Sequence, residues 1–267
     1  MNPAPPSFPC AVTIDVEPDP DTGDFEAVRR HLPGLLERFD TRGIPATLFC
    51  TSRVVDECGD LLRQVPSQHE FASHACSHRP FTRMTPEERR DELARSKAVI
   101  ESLGRGCAGF RSPYFCMTDA ILREVAQAGY QYDSSWASFG HPIGYHNLWK
   151  SKRPVRLEDP AIVEVPIPDA TVARIPFGLS FYRAFDPVSR LFHVGRPHLV
   201  YLHCDEFQDR LPSADIPRWA RPFLGRNRGK RASVLLDRLL DALQRKGARF
   251  VTVGDIARSV PGADPSA

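Results

Sequence analysis

The feature that most constrains this chain is a repeated unit: a short apolar run of strand type, a polar side chain at its C-terminal end, then a stretch with helical signals. CAVTI (10–14) runs into Asp15, EFAS (70–73) into His74, CAGF (107–110) into Arg111 and HLVYL (198–202) into His203. ATLFC (46–50), YQYDS (130–134), AIVEVPI (161–167) and RFVTV (249–253) add runs of the same kind. Helices are expected over 26–39, with a potential break at Pro33-Gly34, and over 54–65, 85–103, 118–128 and 232–246. The third opens on a capping-box pattern, with Thr85 as N-cap, Pro86 at the first position and Glu88 at the third. Gly104, Gly129 and Gly247 stand where three of these helices should stop. In the last, Leu235, Leu236, Leu239, Leu240 and Leu243 share one side.

Such alternation calls for an α/β fold with parallel strands and helices outside. An open doubly wound sheet and a closed or partly closed barrel both satisfy it. Four strands ending in Asp, His, Arg and His would bring those groups to one end, which in a barrel is the face where active sites assemble. The 267 residues suit one large domain over 1–267, with a flexible proline-rich start (1–9) and a flexible tail (261–267). Segment 137–190 is less regular.

Composition excludes several functions. A net charge of +2 is too small for nucleic-acid binding by bulk electrostatics. No apolar run approaches a membrane span, and MNPAPPSFPC lacks the basic and apolar regions of a secretory leader. The seven cysteines are irregularly spaced without a CxxC pair, which argues against a cysteine zinc knuckle and for a reducing cytoplasm, its inner membrane face included. Cys10, Cys50, Cys107 and Cys204 lie in apolar runs and are expected to be buried.

Four constellations carry chemistry. His74 and His78 stand four apart in FASHACSHRPF and can face one metal if the segment is helical or tightly turned; alone they read equally as turn histidines. Cys76, between them, is not a ligand in a HxxxH pattern. Asp15, Glu17, Asp19 and Asp21 crowd the end of the first strand, and in an extended segment Asp15 and Glu17 share a side, so that one can bind metal while the other takes a proton. Arg111 ends a buried strand and calls for a carboxylate partner; Pro113 stiffens the turn and the Tyr114 N–H can point into the site. His203 leaves the most apolar strand as either a satisfied core histidine, a general acid or a ligand. Asp205 and Glu206 read as loop or supporting groups. Arg221, Arg226, Arg228, Lys230 and Arg231 form a basic run within RPFLGRNRGKR, either a solvated loop or a cleft edge for an anionic carrier such as a lipid phosphate or nucleotide diphosphate.

In this order the motifs TIDV with Glu17, HACSH, RSPY, DSSW and VYLH resemble those of the polysaccharide deacetylase family, the carbohydrate esterases with a NodB homology domain, over roughly residues 10–205. The resemblance implies a distorted (β/α) barrel of about seven parallel strands. It also implies an amide hydrolase that removes an N-acetyl or N-formyl group from an amino sugar in a polysaccharide, lipid-linked or nucleotide-linked glycan. The implied cofactor is a divalent metal, zinc first, with cobalt, nickel or manganese compatible. Its ligands are His74, His78 and Glu17, in the D-V-E arrangement similar to lipid-linked arabinose deformylases and exopolysaccharide-associated deacetylases, because Val16 occupies the family's second Asp. Asp15 is the implied base, paired with Arg111, although the roles of Asp15 and Glu17 can be exchanged. His203 is the implied acid, oriented by Asp133. The Tyr114 N–H stabilises the oxyanion beside Pro113, and Trp136 forms a wall of the sugar groove, with core packing as its other reading. An allantoinase-type cyclic amidase and a non-catalytic sugar-binding relic remain as alternatives.

Overall fold

The computed structural model describes residues 7–20, 22–137, 147–169, 176–191, 196–210 and 221–262. Asp21, the first six residues and residues 263–267 of the expected tail lie outside the described residues. The chain runs β1 (Phe8–Val16), α1 (Glu26–Asp40), β2 (Ala46–Cys50), α2 (Ser52–Arg63), β3 (Glu70–Ser73), α3 (Pro86–Glu101), β4 (Gly109–Phe110), α4 (Asp119–Gln127), β5 (Tyr132–Asp133), β6 (Val155–Glu158), β7 (Ala161–Glu164), α5 (Leu179–Ala184), β8 (Leu199–His203), α6 (Arg221–Leu224), α7 (Lys230–Arg245), β9 (Ala248–Val251) and α8 (Val253–Ser259).

The strands form one nine-stranded sheet in the order β6-β7-β5-β4-β3-β2-β1-β8, with β9 also pairing β1. Every pairing is parallel except β6 with β7. Nine strands thus stand where the resemblance implies about seven and the apolar runs mark eight. The strand not expected is the antiparallel edge strand VRLE, too polar to read as a buried run, while the last run forms β9 on the first half of β1. Single bridges, Ala137–Ile167, Asp169–Pro176 and Gly178–Tyr201, carry the pairing from the β5–β7 arm round to β8, which makes the sheet a distorted barrel.

Period-2 alternation sorts β1 into two faces. Val12, Ile14 and Val16 belong to the larger core with Leu32, Leu35, Leu36 and Phe39 of α1, Val54 and Leu62 of α2, Leu93 of α3 and Leu236 and Leu240 of α7. The intervening Ala11 packs in a second cluster with Phe49, Ala72, Tyr132, Val163 and Tyr201. Thr13 and Asp15 therefore share a face with Ala11, while Val16 is committed to the helix layer.

Three local expectations are corrected. Helix α1 runs unbroken through Pro33. Pro33 and Gly34 are exposed on the outer side of the helix, while Leu32, Leu35, Leu36 and Phe39 are buried on the other side. Phe8 and Pro9, expected in the flexible start, belong to β1 and pair with Ala248 and Arg249. The last strand stops at Val251 because Thr252 and Asp255 form a capping box that opens α8. The capping box at Thr85 and Glu88 forms as the sequence requires.

Candidate metal centre and its neighbours

The strand register brings the chemistry-bearing residues to one level. Val16, Cys50, Ser73, Phe110, Asp133 and Glu164 are paired in a row across the sheet. The ladder continues one residue further, with His74 N–H donating to the Cys50 carbonyl, Arg111 N–H to Ser73 and Ser134 N–H to Phe110. His74 and Arg111 therefore emerge at the same height, one residue past their strands. On the other side, Asp15 is in register with His203 of β8.

Glu17, His74 and His78 converge, each offering one ligand atom, with all three atoms within 4.8 Å of one another. Glu17 Oε2 lies 2.5 Å from His78 Nε2 and 3.5 Å from His74 Nε2. The loop that carries both imidazoles is folded back by left-handed backbone at Ala75 (φ +63°) and His78 (φ +56°), conformations a non-glycine residue adopts only under local constraint. His74 Nδ1 is 2.8 Å from the Arg111 carbonyl. A carbonyl can only accept, so Nδ1 carries a proton and Nε2 is the atom turned towards Glu17. A backbone acceptor that fixes the tautomer is the usual support of a metal-bound histidine. Two imidazole nitrogens and one carboxylate oxygen suit a zinc-type divalent cation. Burial alone would raise the Glu17 pKa, but the positive charge of His78 and hydrogen bonds from both histidines hold it well below the usual carboxylate range. Cys76 is turned away, with its sulfur 3.1 Å from Ser52 Oγ. Asp19 faces the start of α1, accepting from the Ala27 N–H and from Gln208 and Arg210.

Beside this cluster Arg111 and Asp15 form a buried ion pair, 0% and 3% exposed at the side chain, with Nη1 2.5 Å from Oδ1. Arg111 also donates to Thr13 Oγ1, the Ser134 carbonyl and Ser134 Oγ, and its guanidinium lies 3.9 Å over the Phe49 ring. Strands β4 and β1 are three places apart in the sheet, about 14 Å if it were flat. An arginine can bridge them only because the sheet is strongly curved.

Asp15 is buried and also lies 3.7 Å from His203 Nε2 through Oδ2. The other ring nitrogen of His203 is 3.4 Å from Glu206 Oε1, which also accepts the His203 backbone N–H. Burial would lower the His203 pKa, but the hydrogen bond to Glu206 and the charges of Glu17, Asp15 and Glu206 push it up to about 10. Glu206 moves the opposite way: burial would raise it, yet His203 and Arg183 bring it down to about 2. Arg183 of α5, buried, donates through Nε to Glu206 Oε2 at 2.8 Å.

Two expected roles are not met by this geometry. Asp133, expected to orient His203, accepts instead from the Ser135 N–H and hydroxyl, and faces Glu164 of β7. Burial and the Asp133 charge raise the Glu164 pKa well above normal, and Glu164 accepts the Trp136 N–H at 2.8 Å. Trp136, expected to line the groove, is only 5% exposed and packs in the main core. Lys150 Nζ lies 4.9 Å from its ring centroid. Tyr114 does lie at the site: its backbone is left-handed (φ +57°), and its ring centroid is 4.9 Å from that of His78. Pro113, buried, opens the single 3-10 turn that holds it.

The basic run is largely occupied by internal partners. Arg228 is buried and pairs with Asp205 at 2.8 Å, Arg231 pairs with Asp186 at 2.8 Å, and Arg226 donates to the Asp186 carbonyl. Lys230 is exposed. Arg226, like Lys230, is exposed. All seven cysteines are buried free thiols, the four expected among them. Among the described residues no helix is long and apolar enough to cross a membrane.

Residues 5–132 match the polysaccharide deacetylase family. Two relatives match at the sequence level. A peptidoglycan deacetylase of Helicobacter pylori is 26% identical over 39% of this chain and 36% of its own length. A chitooligosaccharide deacetylase of a Bradyrhizobium strain is 30% identical over 36% of this chain and 46% of its own length. The chain thus spans less than half the length of these curated relatives. Among solved structures, a Mycobacterium smegmatis protein described as a polysaccharide deacetylase superposes with TM-score 0.62 at 20% identity, covering 97% of this chain and 94% of its own. An allantoinase superposes with TM-score 0.63 at 16% identity, covering 97% and 93%. A carbohydrate esterase family 4 pseudoenzyme from Bacillus anthracis gives TM-score 0.57 at 15% identity, covering 95% and 66%. These likenesses establish the α/β distorted-barrel fold.

Proposed function

We propose that this chain is a metal-dependent hydrolase of the polysaccharide deacetylase type, which removes an N-acetyl or N-formyl group from an amino sugar of a glycan. The observation that carries this reading is the convergence of Glu17, His74 and His78 beside the Asp15–Arg111 pair and His203. The donor set favours zinc, with cobalt, nickel or manganese compatible.

Glu17, His74 and His78 would hold a divalent cation, which when bound would supply Lewis-acid chemistry to the amide carbonyl and to water. Asp15, fixed by Arg111, accepts the water's proton on the oxygen that faces His203. His203 donates the proton that the departing amine requires, a role suited to an imidazole held in its charged form. Tyr114, against His78, lines the entrance to the cluster. Glu17 stands in for the family's second Asp because Val16 points into the helix layer, so that the next inward-facing position is the first that can reach the histidines. This supports the D-V-E reading of the first motif.

The test is hydrolysis of N-acetyl and N-formyl amino-sugar oligomers by the purified chain, with and without a chelator. Release of acetate or formate that stops on chelation and returns with zinc supports the proposal. Ring opening of a cyclic ureide such as allantoin, unaffected by chelation, would support the cyclic amidase, whose relative shares the fold. Binding of glycans without turnover would support a relic of the pseudoenzyme kind.

A further inference from the structure

The His203 imidazole has a carboxylate packed against it other than Asp133. Glu206 lies three residues after His203 in a tight 3-10 turn, so its side chain folds back over the residue it follows. One carboxylate oxygen, Oε1, accepts the His203 backbone N–H at 3.1 Å and lies 3.4 Å from Nδ1. The other, Oε2, accepts from Arg183 Nε at 2.8 Å. Both Glu206 and the Arg183 side chain are 2% exposed or less.

Arg183 is itself anchored. Its Nη1 donates to the Arg226 carbonyl at 2.6 Å, and Asn227 donates to the Arg183 carbonyl at 2.7 Å. Arg226 in turn donates to the Asp186 carbonyl. Helix α5 and the turn before α7 thereby clamp the guanidinium, which clamps the carboxylate. A buried carboxylate between two cationic partners keeps its charge and its position far better than a solvated one. Meanwhile Asp133 spends both its oxygens on Ser135, and its remaining neighbour is Glu164.

We propose that Glu206, clamped by Arg183, is the positioning residue of His203, in the place expected of Asp133. A carboxylate acceptor beside Nδ1 keeps the proton on that nitrogen. The exchangeable proton then sits on Nε2, which faces Asp15 and the metal cluster. The groups that face His203 are Asp15 and Glu17 from the first-strand end and Glu206 from its own turn; the raised pKa agrees with this arrangement. The proposal rests on His203 being the proton donor of the deacetylase reading.

The test uses nitrogen-15 NMR of the His203 imidazole in the metal-free full-length chain, which needs no turnover. In the wild type, the Nδ1–H signal should have the downfield position of a hydrogen bond to a carboxylate. It should be lost in Glu206→Gln and retained in Asp133→Asn. Glu206→Asp, which keeps a charge opposite Arg183, should shift the signal without abolishing it and serves if Glu206→Gln does not fold. On an N-acyl amino-sugar substrate, Glu206→Gln should lower kcat about 10- to 100-fold with KM within about twofold, and move the alkaline limb of the pH profile to lower pH. A His203 signal that follows Asp133→Asn, or that ignores both Glu206 variants, overturns the proposal. If the NMR result holds but no N-acyl substrate is turned over, the positioning stands and the assigned reaction fails.

Discussion

Arg111 reaches from β4 across the concave face of the sheet to place Nη1 2.5 Å from Asp15 on β1, and its guanidinium lies over Phe49, the register partner of Asp15. That contact depends on the curvature of the sheet, and it holds the Asp15 carboxylate in place. It also separates two carboxylates that are only two residues apart: Asp15 belongs to the arginine, Glu17 to the histidines.

The separation predicts different losses for the two acids. Asp15→Asn preserves shape and hydrogen bonding but removes the proton acceptor, so kcat should fall about 10²- to 10⁴-fold while bound metal per chain stays at the wild-type level. Steady-state kinetics and elemental analysis on the same sample check this. Loss of metal from Asp15→Asn would exchange the roles of Asp15 and Glu17.

Asp15→Ala should be far more damaging to stability than Asp15→Asn. It leaves a fully buried guanidinium without its counter-charge, which costs about 3–5 kcal/mol. Urea unfolding monitored by circular dichroism reads the difference; equal midpoints for the two variants would contradict the buried pair.

The His203–Glu206 pair gives a pH dependence of definite sign. The folded His203 value of about 10 exceeds its ordinary 6.5, so its contribution is complete below about 6.5 and is lost as pH rises towards 10. Glu206, lowered from 4.5 to about 2, contributes above about 4.5 and loses its contribution as pH falls towards 2. The stability difference between wild type and Glu206→Gln, measured by urea unfolding of the metal-free protein, should therefore be largest between about pH 4.5 and 6.5 and shrink on both sides. A difference that stays flat from pH 5 to 10 would contradict the pairing.

Trp136 should behave as a core residue. Trp136→Phe removes buried volume and should cost roughly 1–3 kcal/mol, with KM for an oligomeric glycan changed by less than about twofold. Thermal melting and kinetics decide it; an unchanged melting temperature with a large rise in KM would return Trp136 to the groove.

What the sequence made legible follows from period and position. The apolar runs ending in Asp15, His74, Arg111 and His203 are local patterns, and parallel pairing necessarily carries their ends to one face. The partner of His203 was not legible in the same way. Two carboxylates, Asp133 and Glu206, were available, and only the tight turn after β8 determines that Glu206 folds back while Asp133 turns to Ser135 and Glu164. Arg183, which completes the clamp, lies 23 positions before Glu206 in an irregular stretch with no motif around it. The Thr252–Asp255 capping box was visible in principle, but RFVTV reads as one apolar run and hides the helix start inside it. The partners of Arg228 and Arg231 in the basic run were hidden for a related reason: their counter-charges, Asp205 and Asp186, are close in space and distant in the chain.

The central claim is that Glu17, His74 and His78 hold one divalent cation. Isothermal titration of the chelator-stripped full-length chain with zinc tests it most directly. The wild type and Asp15→Asn should each bind one zinc per chain, and Glu17→Gln and the double variant His74→Ala/His78→Ala none. Undiminished zinc binding by the double variant, or none by the folded wild type, would contradict it.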